Sequence, residues 1–137
     1  MRVFLDANIL FSAAKSDGAM RRFLEILKNG GHTLVADGFV TAEATRNLLA
    51  KAPFATSCFE EVMKSVESST GTSTLLCEDI APSLETKDRP VLAAAIERRC
   101  DVLLTGDKAH FGEFYGQVIE GVEIHSPSSL AIKLQKR

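Results

Sequence analysis

The stretch Val3-Phe4-Leu5-Asp6-Ala7-Asn8-Ile9-Leu10 places an acid directly after a short apolar run. An apolar run of this length, without polar alternation, is typical of a strand buried on both faces of a parallel sheet. The stretch Asp101-Val102-Leu103-Leu104-Thr105-Gly106-Asp107 has the same order, an apolar run and then an acid. In open α/β sheets, ligands bind beyond the carboxyl ends of the strands. The two stretches therefore predict the fold class and the edge of the sheet that carries a site.

Working outward, the periodicity of apolar residues predicts alternating strands and helices along the rest of the chain. We predict strands at residues 3–5, 33–36, 74–77, 101–105 and 121–124. We predict helices at residues 19–28, 41–51 (with Thr41 as the cap), 53–68, 88–99 and 126–134. Strands that alternate with amphipathic helices favour a central, mostly parallel sheet covered on both faces. The prediction is a three-layer α/β/α fold with about four to five strands, in one domain over residues 1–137.

Composition limits the function classes without selecting one. The chain has 137 residues, 45% of them hydrophobic and 25% charged, as in an ordinary soluble globular domain. A formal net charge of -2 lacks the basic excess of a protein that binds polyanions over its whole surface. Three cysteines with no C-x-x-C pair suggest neither a zinc site nor a disulfide framework. No apolar run approaches the roughly 20 residues of a membrane helix, and we predict a cytoplasmic protein.

Four acids lie at predicted strand and helix ends. Asp6 and Asp107 follow strands, and we place Glu43 and Asp88 in the first turns of two helices. In an α/β fold these positions can share one edge of the sheet. Carboxylates that lie a few ångströms apart repel one another, so a fold that gathers them needs shared protons or a divalent cation. Ligands that are all oxygen select hard ions such as Mg²⁺ or Mn²⁺.

Each of the four acids also has a structural interpretation that needs no chemistry. Asp6 would end a strand in a turn, Asp88 would be a helix N-cap, and Asp107 would be a loop residue. Glu43 would interact favourably with the dipole of its helix. Taken one at a time, the structural interpretation is favoured for each acid. The occurrence of all four at comparable chain positions is what favours a shared site.

Four segments of the chain resemble, in order, the motifs of PIN domains. The first stretch is similar to their opening, an apolar strand followed by Asp-x-Asn and two aliphatic residues. The other three are similar to a helix carrying a Glu with an Arg three residues on, to the helix of the third acid, and to a strand ending in Thr-x-Asp. They are Thr41-Ala42-Glu43-Ala44-Thr45-Arg46-Asn47-Leu48, Asp88-Arg89-Pro90-Val91-Leu92-Ala93-Ala94-Ala95 and Leu103-Leu104-Thr105-Gly106-Asp107-Lys108.

The resemblance implies metal-dependent cleavage of single-stranded or structured RNA, leaving 5′-phosphate and 3′-hydroxyl ends. In this family the acids at the positions of Asp6, Asp88 and Asp107 hold the metal, Mg²⁺ or Mn²⁺. The acid at the position of Glu43 helps position the metal or its water. The side chains at the positions of Asn8 and Thr105 support two of the acids by hydrogen bonding.

The same resemblance implies partners. Many small bacterial members are toxins of toxin–antitoxin pairs, similar to the VapC group, and are often dimers. We therefore expect a protein antitoxin and a homodimer, and no association with membranes.

Several further residues lie beside the proposed site. Arg46, one helical turn beyond Glu43, either forms an ion pair with it as a structural contact, or orients Glu43 or contacts a phosphate itself. Arg89 and Lys108 flank proposed ligands and could contact phosphate oxygens, although a solvated charge is the simpler interpretation of each. Ser12 either binds phosphate or begins a turn. His110 is the histidine nearest to the site in sequence; we interpret it as a surface or capping residue, and the alternative is contact with substrate.

Two departures from the family pattern affect the number of metals. Lys87 stands where many members place a second acid beside the third, and Ala109-His110 stands where many place another acid. These differences remove candidates for a second metal site. The strongest alternative function is a non-catalytic PIN-like module that binds RNA or a partner. A phosphotransfer receiver domain is disfavoured, because it needs paired acids after the first strand and this chain has Asp6-Ala7-Asn8.

Overall fold

The computed structural model describes residues 1–73 and 84–136, which contain six strands and seven α-helices. The strands are β1 (Arg2–Leu5), β2 (Thr33–Ala36), β3 (Val66–Ser68), β4 (Val102–Leu104), β5 (Val118–Ile119) and β6 (Val122–His125). The helices are α1 (Ala7–Lys15), α2 (Ala19–Asn29), α3 (Gly38–Lys51), α4 (Thr56–Met63), α5 (Arg89–Glu97), α6 (Lys108–Phe111) and α7 (Pro127–Gln135). Short 3₁₀ turns occur at Pro53–Ala55, Thr86–Asp88 and Gly112–Phe114.

The strands form one sheet in the order β3-β2-β1-β4-β6-β5. The first five in this order pair in parallel, and β5 pairs with β6 in antiparallel fashion. A two-residue turn at Glu120 and Gly121 joins β5 to β6, and both residues have positive φ, 49° and 83°. This is the backbone of the tight turns that match the twist of a hairpin. The prediction of a mostly parallel sheet is confirmed, with six strands among the described residues.

The helices lie on both faces of the sheet. The chain moves from β1 outward to β2 and β3, then crosses back to β4 and on to β6. Because crossover connections are right-handed, helices of the two directions lie on opposite faces. In agreement, α1 packs against α2, α3 and α4, whereas α5 packs on β4 and α7 on β6. The central strands β1 and β4 are buried, as the apolar runs predict. The predicted α/β class is confirmed.

Helix α1 is the element that the sequence analysis missed. It starts directly after β1, with Asp6 as its N-cap, and buries Ala7, Ile9 and Leu10 among others. The predicted start of α3 was also wrong. Asp37, and not Thr41, caps this helix, because the Oδ1 atom of Asp37 accepts a hydrogen bond of 3.1 Å from the amide of Val40. Glu43 therefore lies in the second turn of α3.

The predicted long helix over residues 53–68 is three elements in the structure. A 3₁₀ turn leads into α4, which ends at Met63, and Val66 lies in β3. Val66 pairs in register with Leu34 of β2 and is buried, so the pairing of strands overrides the helical spacing of its side chain. The predicted strand over residues 74–77 lies outside the described residues. Within residues 1–73 and 84–136, no helix has the length and apolar character needed to cross a membrane.

Candidate active site

Asp6 and Thr105 lie side by side at the carboxyl ends of two neighbouring parallel strands. Leu5 pairs in register with Leu104, and each of the two polar residues directly follows its strand. The amide of Asp6 donates a 3.0 Å hydrogen bond to the carbonyl of Leu104, which continues the ladder by one step. Asp6 and Thr105 are both buried. The sheet thus brings together the ends of the two stretches on which the sequence prediction rests.

The carboxylate of Asp6 is held by hydrogen bonds on both oxygens. Its Oδ1 accepts from the amide of Ala7 at 2.7 Å, which caps α1. Its Oδ2 accepts from the Thr105 hydroxyl at 2.8 Å and from the Asn8 side-chain amide at 3.3 Å. The supporting positions that the resemblance assigned to Asn8 and Thr105 are therefore geometrically reasonable for Asp6. These hydrogen bonds fix the orientation of the carboxylate.

The same two side chains also fix the loop that carries Asp107. Asn8 Oδ1 accepts a 2.8 Å hydrogen bond from the amide of Gly106, and Thr105 Oγ1 accepts one of 3.1 Å from the amide of Asp107. Asp107 in turn caps α6, because its Oδ1 accepts from the amide of His110 at 3.2 Å. One network therefore positions the first and the fourth acid relative to each other.

The pKa of Asp6 is strongly raised, because the side chain is buried and lies near other negative charges. Burial raises the pKa of Asp6 from 3.8 to about 6, while the hydrogen bonds from Thr105 and Ala7 act in the opposite direction. The negative charges of Glu43 and Asp107 raise this pKa further. Glu43 and Asp107 therefore lie close enough to Asp6 to repel its charge, and three of the four predicted acids share one region.

Asp88 joins the same region through His110. The Oδ2 atom of Asp88 lies 3.0 Å from His110 Nδ1, and the Oδ2 atom of Asp107 lies 2.7 Å from the same nitrogen. Asp88 stands at the N-cap position of α5, but its side chain makes no capping hydrogen bond. Burial raises the pKa of Asp88; the charge of His110 opposes this, and that of Asp107 adds to it. Asp88 therefore has the N-cap position that the structural interpretation gave it, but its carboxylate is not used for capping.

His110 and Glu85 also lie beside these acids, which the sequence did not indicate. His110 is half-buried between two carboxylates, so its interpretation as a surface or capping residue is wrong. The Oε2 atom of Glu85 lies 3.7 Å from His110 Nε2. The spacing of residues 85, 88 and 110 matches no metal-binding motif, so only the fold reveals the group. Tyr115 is a further neighbour, and its hydroxyl donates a 3.1 Å hydrogen bond to the carbonyl of Thr105.

The donors at this edge fit a divalent cation. Glu85, Asp88 and His110 each offer one ligand atom, and these atoms lie within 4.8 Å of one another. The Oδ2 atom of Asp88 is buried and accepts no hydrogen bond in the described part of the chain. A buried, unsatisfied carboxylate oxygen costs about 1–3 kcal/mol or more, and a cation would relieve that cost. The site therefore has both the donors and an unmet requirement for positive charge.

The other predicted contributors lie on four different helices. Ser12 lies one helical turn beyond Asn8 on α1, and Lys108 is exposed at the start of α6. Arg46 is exposed on α3, and no ion pair joins it to Glu43, although the structure describes both residues. Arg89 is half-buried, and its Nε atom donates a 3.1 Å hydrogen bond to the carbonyl of Leu84. Arg89 therefore helps to hold the backbone ahead of Asp88.

The chain is similar to known proteins in both sequence and fold. The family model of the PIN domain matches residues 2–109, well over half of the chain. No curated protein matches the sequence. One similar chain among solved structures belongs to VapBC2 from Rickettsia felis, crystallised with a DNA fragment from their promoter. The TM-score is 0.65 at 17% sequence identity, over 92% of this chain and 98% of that chain. At this identity the likeness concerns the fold alone.

Proposed function

The chain belongs to the PIN-domain family, and on that premise we propose that it is a metal-dependent endoribonuclease that cleaves the phosphodiester bonds of single-stranded RNA. The observation that carries the proposal is the position of Asp6. Its carboxylate is buried, held by Thr105 and Asn8, and repelled by the charges of Glu43 and Asp107. A fold gains nothing in stability from crowding these acids, so their retention favours a function.

The proposed roles follow from position and charge. We assign Asp6, Asp88 and Asp107 as ligands of Mg²⁺ or Mn²⁺; such a cation, when bound, supplies a Lewis acid that polarises a phosphoryl oxygen and acidifies a bound water. Glu43 lies at the rim of the site and is half-buried, so its carboxylate can accept a proton from an attacking water. Asn8 and Thr105 orient Asp6, because they donate to the oxygen that is not used in capping α1.

Cations from the chain itself complete the proposed site for RNA. Lys108 and Arg46 are exposed, and each is close in sequence to one of the acids, so we assign them to contacts with RNA phosphate oxygens. Ser12 offers a hydroxyl on the face of α1 that carries Asn8. Arg89 contributes indirectly, through the backbone of Leu84. Because the net charge is -2, we expect affinity for RNA to come from these few cations and from a bound metal.

We also propose that the chain acts as the toxin of a toxin–antitoxin pair. The support is its fold, which is similar over 92% of its length to a chain of the VapBC2 assembly of Rickettsia felis. The proposed partner is a small antitoxin protein that covers the carboxyl edge of the sheet, and the homodimer predicted from the family remains part of the proposal. Growth of the native host on overexpression, with and without the product of any adjacent small gene, tests this role. Harmless overexpression and no bound neighbour would contradict it.

Cleavage by paired variants tests the nuclease proposal. Replacement of Glu43 by Gln removes the proposed proton acceptor without removing a proposed metal ligand. General-base residues contribute about 10²–10⁴-fold to rate, so we expect cleavage of a labelled single-stranded RNA to fall by at least about 100-fold. The matched control is Glu61→Gln on α4, whose carboxylate is exposed and paired with Lys64. Equal cleavage by the wild type and Glu43→Gln would refute the role of Glu43, and no cleavage by the wild type would favour the non-catalytic alternative.

A further inference from the structure

We propose that His110 is itself a metal ligand and that, with Asp88 and Glu85, it forms a mixed nitrogen and oxygen site that prefers transition-metal dications to Mg²⁺. The inference rests on the proposed function in taking this edge of the sheet as a metal centre. It goes further by naming a ligand outside the acid quartet and the class of ion that this ligand selects.

The placement of three side chains is the first support. His110 lies in α6, Asp88 ends the 3₁₀ turn before α5, and Glu85 immediately precedes that turn. Although they are up to 25 positions apart in sequence, their ligand atoms lie within 4.8 Å of one another. Both ring nitrogens of His110 face carboxylates, with Nδ1 3.0 Å from Asp88 and Nε2 3.7 Å from Glu85. The imidazole is therefore central to the group.

The second support is a pair of buried polar atoms that do not satisfy each other. Asp88 is 9% exposed, and its Oδ2 atom has no hydrogen-bond donor in the described part of the chain. His110 Nδ1 is likewise buried and without a hydrogen bond, although it lies within 3.0 Å of Asp88 and 2.7 Å of Asp107. These distances are short enough for hydrogen bonds, but the angles are not. The ring nitrogen of His110 and the carboxylate oxygens are therefore not arranged as donor and acceptor. A cation shared by these atoms would satisfy them together.

The chemistry of the donors sets the preference for the ion. Mg²⁺ takes oxygen ligands in near-ideal octahedral geometry, whereas an imidazole nitrogen suits transition metals. Among divalent first-row metals, affinity for a given site rises from Mn²⁺ toward Cu²⁺. Lys87 is exposed, and its Nζ lies 3.8 Å from a carboxylate oxygen of Glu85. Its charge also lowers the pKa of Asp88, so Lys87 competes with the ion for both carboxylates.

Pulsed electron paramagnetic resonance with Mn²⁺ as the probe tests this assignment directly. A histidine nitrogen bound to Mn²⁺ gives a ¹⁴N coupling that oxygen ligands do not give. We expect this coupling in the wild type and its loss in His110→Ala, together with at least a tenfold weaker Mn²⁺ affinity and a Mg²⁺ affinity changed less than about threefold. The control is His32→Asn, since His32 contacts the amine of Met1 at 2.9 Å, beside the start of β2, and should leave the coupling intact.

The outcomes separate this inference from the nuclease proposal. Absence of ¹⁴N coupling in wild-type protein with bound Mn²⁺ overturns the inference, whether or not the His110→Ala variant folds. Coupling that survives in His110→Ala, or that disappears in His32→Asn, overturns it as well. RNA cleavage is not part of this readout. Cleavage without ¹⁴N coupling would leave the nuclease standing and refute the role of His110, whereas coupling without cleavage would do the reverse.

Discussion

Replacement of Asp6 by Asn should stabilise the metal-free protein at pH 7 while it abolishes cleavage. The pKa of Asp6 is raised from 3.8 to about 6. At pH 7 the carboxyl group is ionised in both the folded and the unfolded state, and its raised pKa costs the folded state about 3 kcal/mol. Asp6 is only 5% exposed, so solvent screening does not reduce this figure much. An uncharged side chain avoids the cost.

Lost hydrogen bonds of Asp6 reduce the stability that the Asn variant gains. Asn keeps one acceptor oxygen but cannot accept both from the amide of Ala7 and from the hydroxyl of Thr105. The loss of one buried hydrogen bond costs about 1–2 kcal/mol. At pH 7 the variant should therefore be about 1 kcal/mol more stable than the wild type.

The sign of this difference should change with pH. A raised folded-state pKa means that the penalty is absent below pH 3.8 and complete only above about pH 6. At pH 4 the penalty has fallen by about 2 kcal/mol, so the lost hydrogen bond dominates and the variant becomes about 1 kcal/mol less stable than the wild type. Urea unfolding in the presence of a chelator at pH 7 and pH 4 measures both values. Asp17→Asn is the control, because the side chain of Asp17 is 80% exposed. A stability difference that is the same at both pH values would refute the reasoning.

Two further predictions concern the support of the site and its metal. Thr105→Val removes the buried hydroxyl that joins Asp6 to the amide of Asp107. We expect the free energy of unfolding to fall by about 1–3 kcal/mol and RNA cleavage to slow. Thr45→Val, on the exposed side of α3, is the control, and equal effects of the two substitutions would contradict the prediction. Mg²⁺ or Mn²⁺ at about 100 times its Kd should raise the free energy of unfolding by about 2.7 kcal/mol. Thermal melts with and without chelator measure this, and no shift at millimolar metal would count against a metal site.

The parts of the site that the sequence predicts are those that lie at strand ends. Asp6 and Asp107 follow apolar runs, and parallel pairing of β1 with β4 necessarily brings their loops together. Thr105 and Asn8 were placed by resemblance alone, and the structure gives each a hydrogen bond to Asp6. Glu43 lies near Asp6 because α3 follows β2, which is the neighbour of β1 in the sheet. These positions depend on topology, which the alternation of strands and helices encodes.

The parts that the sequence does not predict depend on side-chain directions and on competing local signals. His110 reaches Asp88 because α6 is a single turn capped by Asp107, and nothing in its composition marks that turn. Helix α1 is apolar around most of its surface and joins β1 without a loop, so its periodicity is masked. Val66 has helical spacing from Val62 but pairs with β2, because burial in the sheet outweighs a weak local preference.

The chemistry of the RNA ends tests the central claim most directly. If water rather than the ribose 2′-hydroxyl attacks phosphorus, and the bond from phosphorus to the 3′ oxygen breaks with a proton passing to that oxygen, the products are a 5′-phosphate and a 3′-hydroxyl, the ends that the family resemblance implies. Mass spectrometry of the fragments from a single-stranded RNA, after incubation with purified wild-type protein and Mn²⁺ or Mg²⁺, identifies these ends. We expect 5′-phosphate and 3′-hydroxyl ends in the presence of metal and intact RNA in the presence of chelator. Fragments that end in a 2′,3′-cyclic phosphate, formed equally well with chelator, would contradict the account.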